Sequence, residues 1–293
     1  MRSLMKIKTI CAAFGCTILI TAMHANAFVV VDYFAGGSYK LTADGGKIYS
    51  SSSSSATHTI YDATAGNVGN NLGTFTATSG ARNSGAHGGK MVTKNGSFLE
   101  LWDLNSGAKL YSVTAQNSQE HGQAYDADNN RAYFGNGSGD VWWYDFDDNT
   151  SGYLGDLGQI ATIANGENEN YFEDLEIAGG FLWAVDGNDS DIHKFALDGT
   201  YLGKETTNAG LHIEGFGFDE VSNAFWVHSS YTPDFACSTC NGQILGRGHY
   251  IQKLGGFTDI TPPNTNPVPE PGTIALLSVA LLGMGVIRRR KEV

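Results

Sequence analysis

Residues 123–134 read QAYDADNNRAYF, in which two short runs ending in aromatic residues flank a polar turn. The Asp and Asn residues at the centre tolerate the positive φ angles that a tight hairpin turn requires. Related stretches recur at residues 39–49 (YKLTADGGKIY), 175–185 (LEIAGGFLWAV) and 216–227 (FGFDEVSNAFWV), and a looser copy at 90–101 surrounds Asn95-Gly96. The chain therefore repeats a strand–turn–strand unit.

Each unit is followed by a third strand, and a fourth strand follows after a further turn. The third strands are expected at residues 59–62, 99–103, 141–145, 192–195 and 250–254. Their ends are separated by 41 residues from Asp62 to Asp103 and by 42 from Asp103 to Asp145. This period is typical of four-stranded propeller blades, which bury their faces by stacking radially against one another.

The sequence predicts an all-β fold, a β-propeller of five or six four-stranded blades over residues 28–260. Five blades can be counted, and residues 28–34 (FVVVDYF) are left over as a strand available to complete the last blade. The longer spacing between Asp145 and Leu254 leaves room for a sixth, degenerate blade. A β-sandwich, whose strands need not repeat in fours, is the alternative fold.

Both ends of the chain differ from this repeating region. Arg2, Lys6 and Lys8 precede an apolar stretch at 10–22, and Ala25-Asn26-Ala27 supplies a small-x-small cleavage pattern. These features predict a signal peptide at residues 1–27, removed on export. Five of the six prolines fall within residues 261–271, which predicts a stiff, extended linker.

The C-terminal segment begins with a Pro-Glu-Pro turn, continues with an uncharged apolar run at residues 273–287 and ends in a basic cluster. The turn and cluster are formed by Val268, Pro269, Glu270 and Pro271, and by Arg288, Arg289, Arg290 and Lys291. Basic residues after an apolar run favour the cytoplasmic side of a membrane. The run is shorter than the roughly 20 residues of a comfortable spanning helix, which favours a transient insertion.

This order of features resembles the PEP-CTERM sorting tail of exported bacterial proteins. The resemblance implies a transmembrane sorting helix at residues 272–293, with the inner membrane as an intermediate station. It also implies recognition by an exosortase-type membrane peptidase, which releases the protein to the cell surface or the extracellular matrix. A C-terminal core helix is the alternative interpretation of the run.

Charge narrows the range of partners. Residues 28–267 hold 11 basic and 28 acidic residues, which gives a formal charge of −17. Such a surface disfavours nucleic acid and anionic lipid as partners. The same segment retains Cys237 and Cys240, and in an oxidising compartment so close a pair predicts a local disulfide.

Ionisable residues precede the predicted first strands, which in a propeller line the central channel. We expect them to meet at one channel mouth and to form a binding site. The candidates are His87, Glu120, His121, Glu173, Asp174, His212 and Glu214. Mixed imidazole and carboxylate ligands suit a divalent transition metal, for which the candidates are Glu120, His121, His212 and Glu214. A water-lined channel without metal is the alternative.

Two other features bear on ligands. Asp145, Asp147, Asn149 and Ser151 have the spacing of an oxygen-rich calcium loop, but the bidentate Glu is missing, and Asp186, Asn188 and Ser190 form a similar, weaker set. We interpret both sets as turns between strands. Trp142, Trp143 and Tyr144 are consecutive, and because side chains alternate along a strand, at least one should face outward and be able to stack on a sugar ring.

The sequence contains neither a G-x-S-x-G elbow nor an H-E-x-x-H helix motif. The main hypothesis is therefore a non-enzymatic surface module that binds polysaccharide or a surface protein. The alternative is a metal-dependent hydrolase or lyase at the channel mouth, with His121 or His212 as general base.

Overall fold

The computed structural model describes residues 28–36, 40–52, 55–77, 84–115, 121–169, 171–207, 209, 211–231, 235–236, 244–245 and 250–255. The predicted signal peptide, linker and sorting tail lie outside the described residues, as do Glu120, Cys237 and Cys240. Within the described residues, no helix has the length and apolar character needed to span a membrane.

The described chain begins with β1 (Val29–Ala35) and continues through four complete blades. Blade one contains β2 (Lys40–Asp44), β3 (Lys47–Ser51), β4 (Thr57–Asp62) and β5 (Asn71–Thr76). Blade two contains β6 (Ser84–His87), β7 (Lys90–Asn95), β8 (Phe98–Asp103) and β9 (Lys109–Thr114). Blade three contains β10 (His121–Asp126), β11 (Arg131–Gly135), β12 (Asp140–Asp145) and β13 (Thr150–Asp156).

Helix α1 (Leu157–Asn165) leads into blade four, which contains β14 (Phe172–Ala178), β15 (Phe181–Asp186), β16 (Asp191–Phe195) and β17 (Tyr201–Thr206). The remaining strands are β18 (Leu211–Asp219), β19 (Ala224–Tyr231), β20 (Phe235–Ala236), β21 (Ile244–Leu245) and β22 (Tyr250–Gly255). Among the described residues, β20 and β21 form a separate two-stranded sheet.

Blade five closes the ring with the first strand of the chain. Its strand order is β1-β22-β19-β18, and β1 pairs antiparallel with β22 from Val29↔Gly255 to Ala35↔Tyr250. The first strands of successive blades contact one another around the ring, including β18 with β2. The expected propeller is confirmed with five blades, and the sheet edge that β22 would otherwise expose is covered.

The core lies between the blades. Five clusters of buried apolar side chains occupy the five interfaces between neighbouring blades. At the interface of blades four and five, for example, Trp183 packs edge-on against Phe225 with ring centroids 5.3 Å apart. Radial stacking thus buries both faces of each sheet, as the repeat predicts.

Helix α1 occupies part of the longer spacing between Asp145 and Leu254, which left room for a sixth blade in the prediction. The Asp156 side chain accepts a hydrogen bond from the Gln159 N–H (2.8 Å), and Gly166 ends the helix in a left-handed conformation. Leu157 and Ala161 are buried against blades three and four. The helix has only 9 residues, too few for its apolar period to stand out in the sequence.

Small residues allow the first strands to approach closely. A Cβ placed on Gly217 of β18 would lie 2.4 Å from the Ala43 N atom, and one on Gly85 of β6 would lie 2.4 Å from the Gln123 O atom. These neighbours are backbone atoms, so they cannot move aside like the end of a flexible side chain. The narrow ring therefore requires glycine where inner strands touch.

His58 of β4 makes folding sensitive to acid. Its side chain is buried, and burial lowers the pKa of His58 to about 4. Between pH 6.5 and 4 the unfolded chain therefore binds more protons at this position than the folded one, and stability falls as the pH drops. We expect wild type to lose about 2.5 kcal/mol more than His58→Gln between pH 7.5 and 4.5, as measured by urea unfolding. Parallel pH profiles for the two proteins would contradict this.

Candidate functional site

The channel mouth is shaped by bulges in three inner strands. Strands β10, β14 and β18 each shift register near their start, and the bulged residues are Gly122, Glu173 and Glu214. A bulge bends a strand and redirects its side chain. The Lys40 Nζ donates to Glu173 Oε2 (3.5 Å) and to the Glu214 carbonyl O (3.4 Å), which shows that Glu173 and Glu214 lie at the same end of the channel.

Glu173 is the centre of the mouth. Its Oε2 lies 3.4 Å from His121 Nδ1, and it also bonds the Tyr171 side chain. Burial raises the pKa of Glu173, but the hydrogen bonds from His121 and Tyr171 and the charge of Lys40 outweigh burial and lower it to about 2. Burial and the neighbouring Glu173 raise the pKa of Tyr171 to about 12. At neutral pH the mouth therefore presents an ionised carboxylate and a neutral phenol, with the His121 ring beside the carboxylate.

Asp174 lies deeper than the mouth and connects three blades. It is fully buried and accepts hydrogen bonds from the N–H groups of Leu175 (3.0 Å), Phe216 (3.0 Å) and Gln123 (3.4 Å). Burial raises the pKa of Asp174 well above its usual value, whereas Lys40 and these three donors oppose the rise. Its backbone contacts make Asp174 part of the scaffold on which the mouth is built.

Glu176 continues this connection along the channel. Its carboxylate accepts from the Ile177 N–H (2.8 Å) and the Thr42 hydroxyl (3.3 Å), and the Thr42 Oγ1 accepts from the Ala86 N–H (2.8 Å). Burial raises the pKa of Glu176 well above its usual value, and the Ile177 N–H opposes the rise. Together, the central carboxylates Asp174 and Glu176 connect the first strands of all five blades.

The structure places His87 away from the mouth. His87 is the last residue of β6, opposite Lys90, and its Nδ1 accepts from the Ala127 N–H (3.4 Å). The sequence predicted that residues 90–101 form the first two strands of blade two and that His87 precedes them at the mouth. This prediction is wrong, because residues 90–101 form the second and third strands of the blade. The true first strand, Ser84–His87, reads SGAH and carries no β-branched or aromatic residue.

The other predicted residues are only partly brought together. His212 is exposed with a left-handed backbone (φ 57°), and among the described residues it makes no hydrogen bond to the mouth. Within the same part of the chain, groups of three potential metal ligands occur on blade four and the segment before it rather than at the mouth. They are Glu169, Asp186 and His193, and Glu167, Glu169 and Asp191.

The spacing at Asp145 forms a turn. Asp145 Oδ1 accepts from the N–H groups of Asp147 (3.0 Å) and Asp148 (3.1 Å), and its Oδ2 accepts from Arg131 (3.0 Å). Its carboxylate is thus occupied by local donors, as the interpretation of this stretch as a turn requires.

The consecutive aromatic residues of β12 face different surroundings. Tyr144 is buried, whereas Trp142 and Trp143 are half-buried on opposite faces. Trp142 pairs across the strands with Tyr153, which is 53% exposed, and their ring centroids lie 5.3 Å apart. Tyr153 is on β13, the outer strand of blade three.

A carboxylate lies directly beside this aromatic pair. The Tyr153 hydroxyl donates to Asp140 Oδ1 (2.5 Å), and Asn136 Nδ2 donates to Asp140 Oδ2 (2.9 Å). We refer to Trp142, Tyr153, Asp140 and Asn136 as the aromatic platform. The sequence pointed to Trp142 but gave no reason to pair it with Tyr153, which is a member of the next strand.

Comparisons with known proteins support two features of the chain, the C-terminal sorting motif and the propeller fold. The PEP-CTERM protein-sorting motif matches residues 267–291, so the chain carries the address of an exported surface protein that is processed by an exosortase. The fold is similar to that in the crystal structure of Myxococcus xanthus glutaminyl cyclase, with a TM-score of 0.53 and 11% identity over 78% of this chain and 97% of that chain. At this identity the likeness shows the fold alone. Comparison with curated proteins gives no match. The chain is thus an exported five-bladed β-propeller.

Proposed function

We propose that this propeller is a surface binding module that recognises a neutral polysaccharide through the aromatic platform on blade three. The observation that carries the proposal is the exposed Tyr153 ring, held beside Trp142 and bonded to the Asp140 carboxylate. A sugar ring has apolar C–H faces and hydroxyl edges. An aromatic face with adjacent acceptors matches both parts, since Tyr and Trp combine an apolar body with a polar tip.

Charge restricts the class of ligand. The formal charge of −17 over residues 28–267 repels polyanions, so an uncharged polysaccharide is the better match. The surface address given by the PEP-CTERM motif supports such a ligand, because polysaccharide is abundant outside bacterial cells.

The route to the surface forms part of the proposal. Residues 1–27 are removed as a signal peptide, and residues 272–293 then enter the inner membrane transiently before the peptidase acts. The linker at 261–271 separates the propeller from the membrane, and Cys237 and Cys240 form a disulfide after export. This route is supported by the match of the sorting motif to residues 267–291.

The alternative function is a metal-dependent hydrolase or lyase at the channel mouth. It is favoured by one observation, the 3.4 Å contact between His121 Nδ1 and the ionised Glu173, an arrangement suited to proton transfer. With Glu214 at the same end of the channel, the mouth can also hold a polar group of a bound ligand. A metal there would require Glu120 together with His121, His212 or Glu214.

The binding hypothesis is tested by affinity gel electrophoresis of the full chain in gels that contain neutral bacterial polysaccharides. We expect wild type to be retarded and Tyr153→Ala to bind at least about fivefold more weakly, because one stacking face is worth about 1–3 kcal/mol. Tyr111→Ala is the matched control, since Tyr111 is an exposed tyrosine (41%) on the outer strand of blade two. Equal retardation of wild type and Tyr153→Ala would refute the platform.

The same polysaccharides distinguish the alternative. Incubation with wild-type protein and added divalent metal should release no new chain ends if the protein only binds. Release that is lost in Glu173→Gln and retained in Tyr153→Ala would instead support an enzyme at the mouth.

A further inference from the structure

Blade four and the segment that connects α1 to it contain two groups of three potential cation ligands that share Glu169. One group, the lysine triad, consists of Glu167, Glu169 and Asp191. The other, the imidazole triad, consists of Glu169, Asp186 and His193. In each group the ligand atoms all lie within 4.8 Å of one another. The two groups differ in whether a cation of the protein already occupies them.

Lys204 of β17 fills the lysine triad. Its Nζ bonds Glu169 Oε1 at 2.6 Å and also reaches the carboxylates of Glu167 and Asp191, both at 2.5 Å. This ammonium group neutralises part of the local negative charge from within the fold. The lysine triad therefore needs no further ion.

In the imidazole triad only Glu169 is paired with Lys204, and among the described residues no lysine or arginine forms an ion pair with Asp186 or His193. Glu169, Asp186 and His193 are fully buried, at 0% exposure each. Glu169 Oε2, Asp186 Oδ2 and both ring nitrogens of His193 make no hydrogen bond to any described residue. His193 Nε2 and Glu169 Oε2 nevertheless face each other at 3.4 Å. Buried polar atoms in native proteins are normally partnered, so unpartnered atoms on three neighbouring buried side chains indicate a missing ligand.

The three side chains are held in position by their other atoms. The His193 ring lies between Phe172 and Tyr201, with centroid separations of 5.3 and 6.1 Å. Asp186 Oδ1 accepts from the Asn188 N–H (2.6 Å), and Glu169 Oε1 is bound by Lys204. Asp186 and Glu169 are thus held through one carboxylate oxygen and keep the other oxygen available, and the His193 ring is held by aromatic packing. Hydrogen bonds to the second oxygen of a carboxylate are typical of metal-ligating carboxylates.

We propose that Glu169, Asp186 and His193 bind a divalent transition-metal ion, with Zn²⁺ as the best match. An imidazole nitrogen and two carboxylate oxygens form a mixed ligand set, which suits zinc and its neighbours better than calcium, whose ligands are oxygens. Asp189 adds further negative charge around Asp186 and Glu169, which increases the attraction for a dication.

Such an ion would have a structural role. Glu169 belongs to the segment that connects α1 to blade four, whereas Asp186 and His193 belong to the second and third strands of that blade. A metal bridging them would fasten the helix and its following segment to the sheet.

The test uses the full chain, stripped with EDTA and desalted, then titrated with Zn²⁺ alone and analysed by elemental mass spectrometry. We expect one equivalent of zinc per chain, and at least about 100-fold weaker binding for Asp186→Asn and for His193→Gln. Cu²⁺ in place of zinc should give nitrogen superhyperfine splitting in the electron paramagnetic resonance spectrum, and His193→Gln should remove it.

The matched control is Asp198→Asn, which removes a carboxylate from the turn between β16 and β17 of the same blade and should leave the affinity within about threefold. If His193→Gln does not fold by circular dichroism, the isosteric Asp186→Asn decides alone. Zinc uptake well below one equivalent in wild type, or unchanged affinity in folded Asp186→Asn, would overturn the proposal.

Discussion

Replacing Asp174 by alanine is expected to lower the free energy of unfolding by about 4 kcal/mol. The substitution leaves the buried N–H groups of Gln123, Leu175 and Phe216 without their acceptor. Each unpartnered buried group costs about 1–3 kcal/mol, and relief of the buried carboxyl offsets part of the sum. Because these groups belong to three different blades, the loss should loosen the ring as a whole.

Thermal unfolding followed by circular dichroism measures this effect. A loss of about 4 kcal/mol corresponds to a fall in Tm of roughly 12 °C for a domain of this size. Asp128→Ala, a change of the same type at an exposed turn position, should stay within about 0.5 kcal/mol of wild type. An Asp174→Ala protein that unfolds with the wild-type Tm would show that the central carboxylates do not hold the blades together.

Gly217→Ala is expected to destabilise the propeller by at least about 3 kcal/mol. The new Cβ would lie 2.4 Å from the Ala43 N atom and 2.6 Å from the Thr42 C atom, so two inner strands must separate. Overpacking of this kind costs about 1–3 kcal/mol where side chains can adjust, and more where backbone must move.

The control is the same substitution at Gly135 of β11, where the nearest atom would be 3.3 Å away. We expect Gly135→Ala to cost less than about 1 kcal/mol. Urea unfolding of both proteins decides the matter. Equal stabilities would mean that the ring can widen without penalty.

The blades could be predicted from the sequence because the residues that specify each strand and hairpin turn are close together in the chain. Asn130 and Asn223 adopt positive φ angles of 46° in the turns after β10 and β18, as the turn chemistry requires. Strand β6 is the exception, since its residues pack inside the ring and need to be small rather than β-branched. Because β6 could not be recognised from its sequence, His87 was expected at the opposite end of the channel from the one it occupies.

The interactions between blades could not be predicted in the same way. Glu176 lies in the apolar run LEIAGG and resembles any strand residue, yet its carboxylate reaches a hydroxyl in blade one. Glu169 is on an irregular segment, and its approach to His193 depends on how α1 packs. Such contacts depend on the closure of the ring, for which the sequence contains no spacing rule.

The pairing of β1 with β22 affects how the propeller resists mechanical force. The chain continues toward its C-terminal side from Gly255, the last residue of β22, and β22 pairs with β1 on one side and β19 on the other. A force applied to the chain at this point acts in shear on the hydrogen bonds that β22 makes with both β1 and β19. It therefore cannot detach β22 one hydrogen bond at a time, as it could an edge strand. A protein held at the cell surface in flowing liquid would withstand drag better for having its tether point inside a sheet.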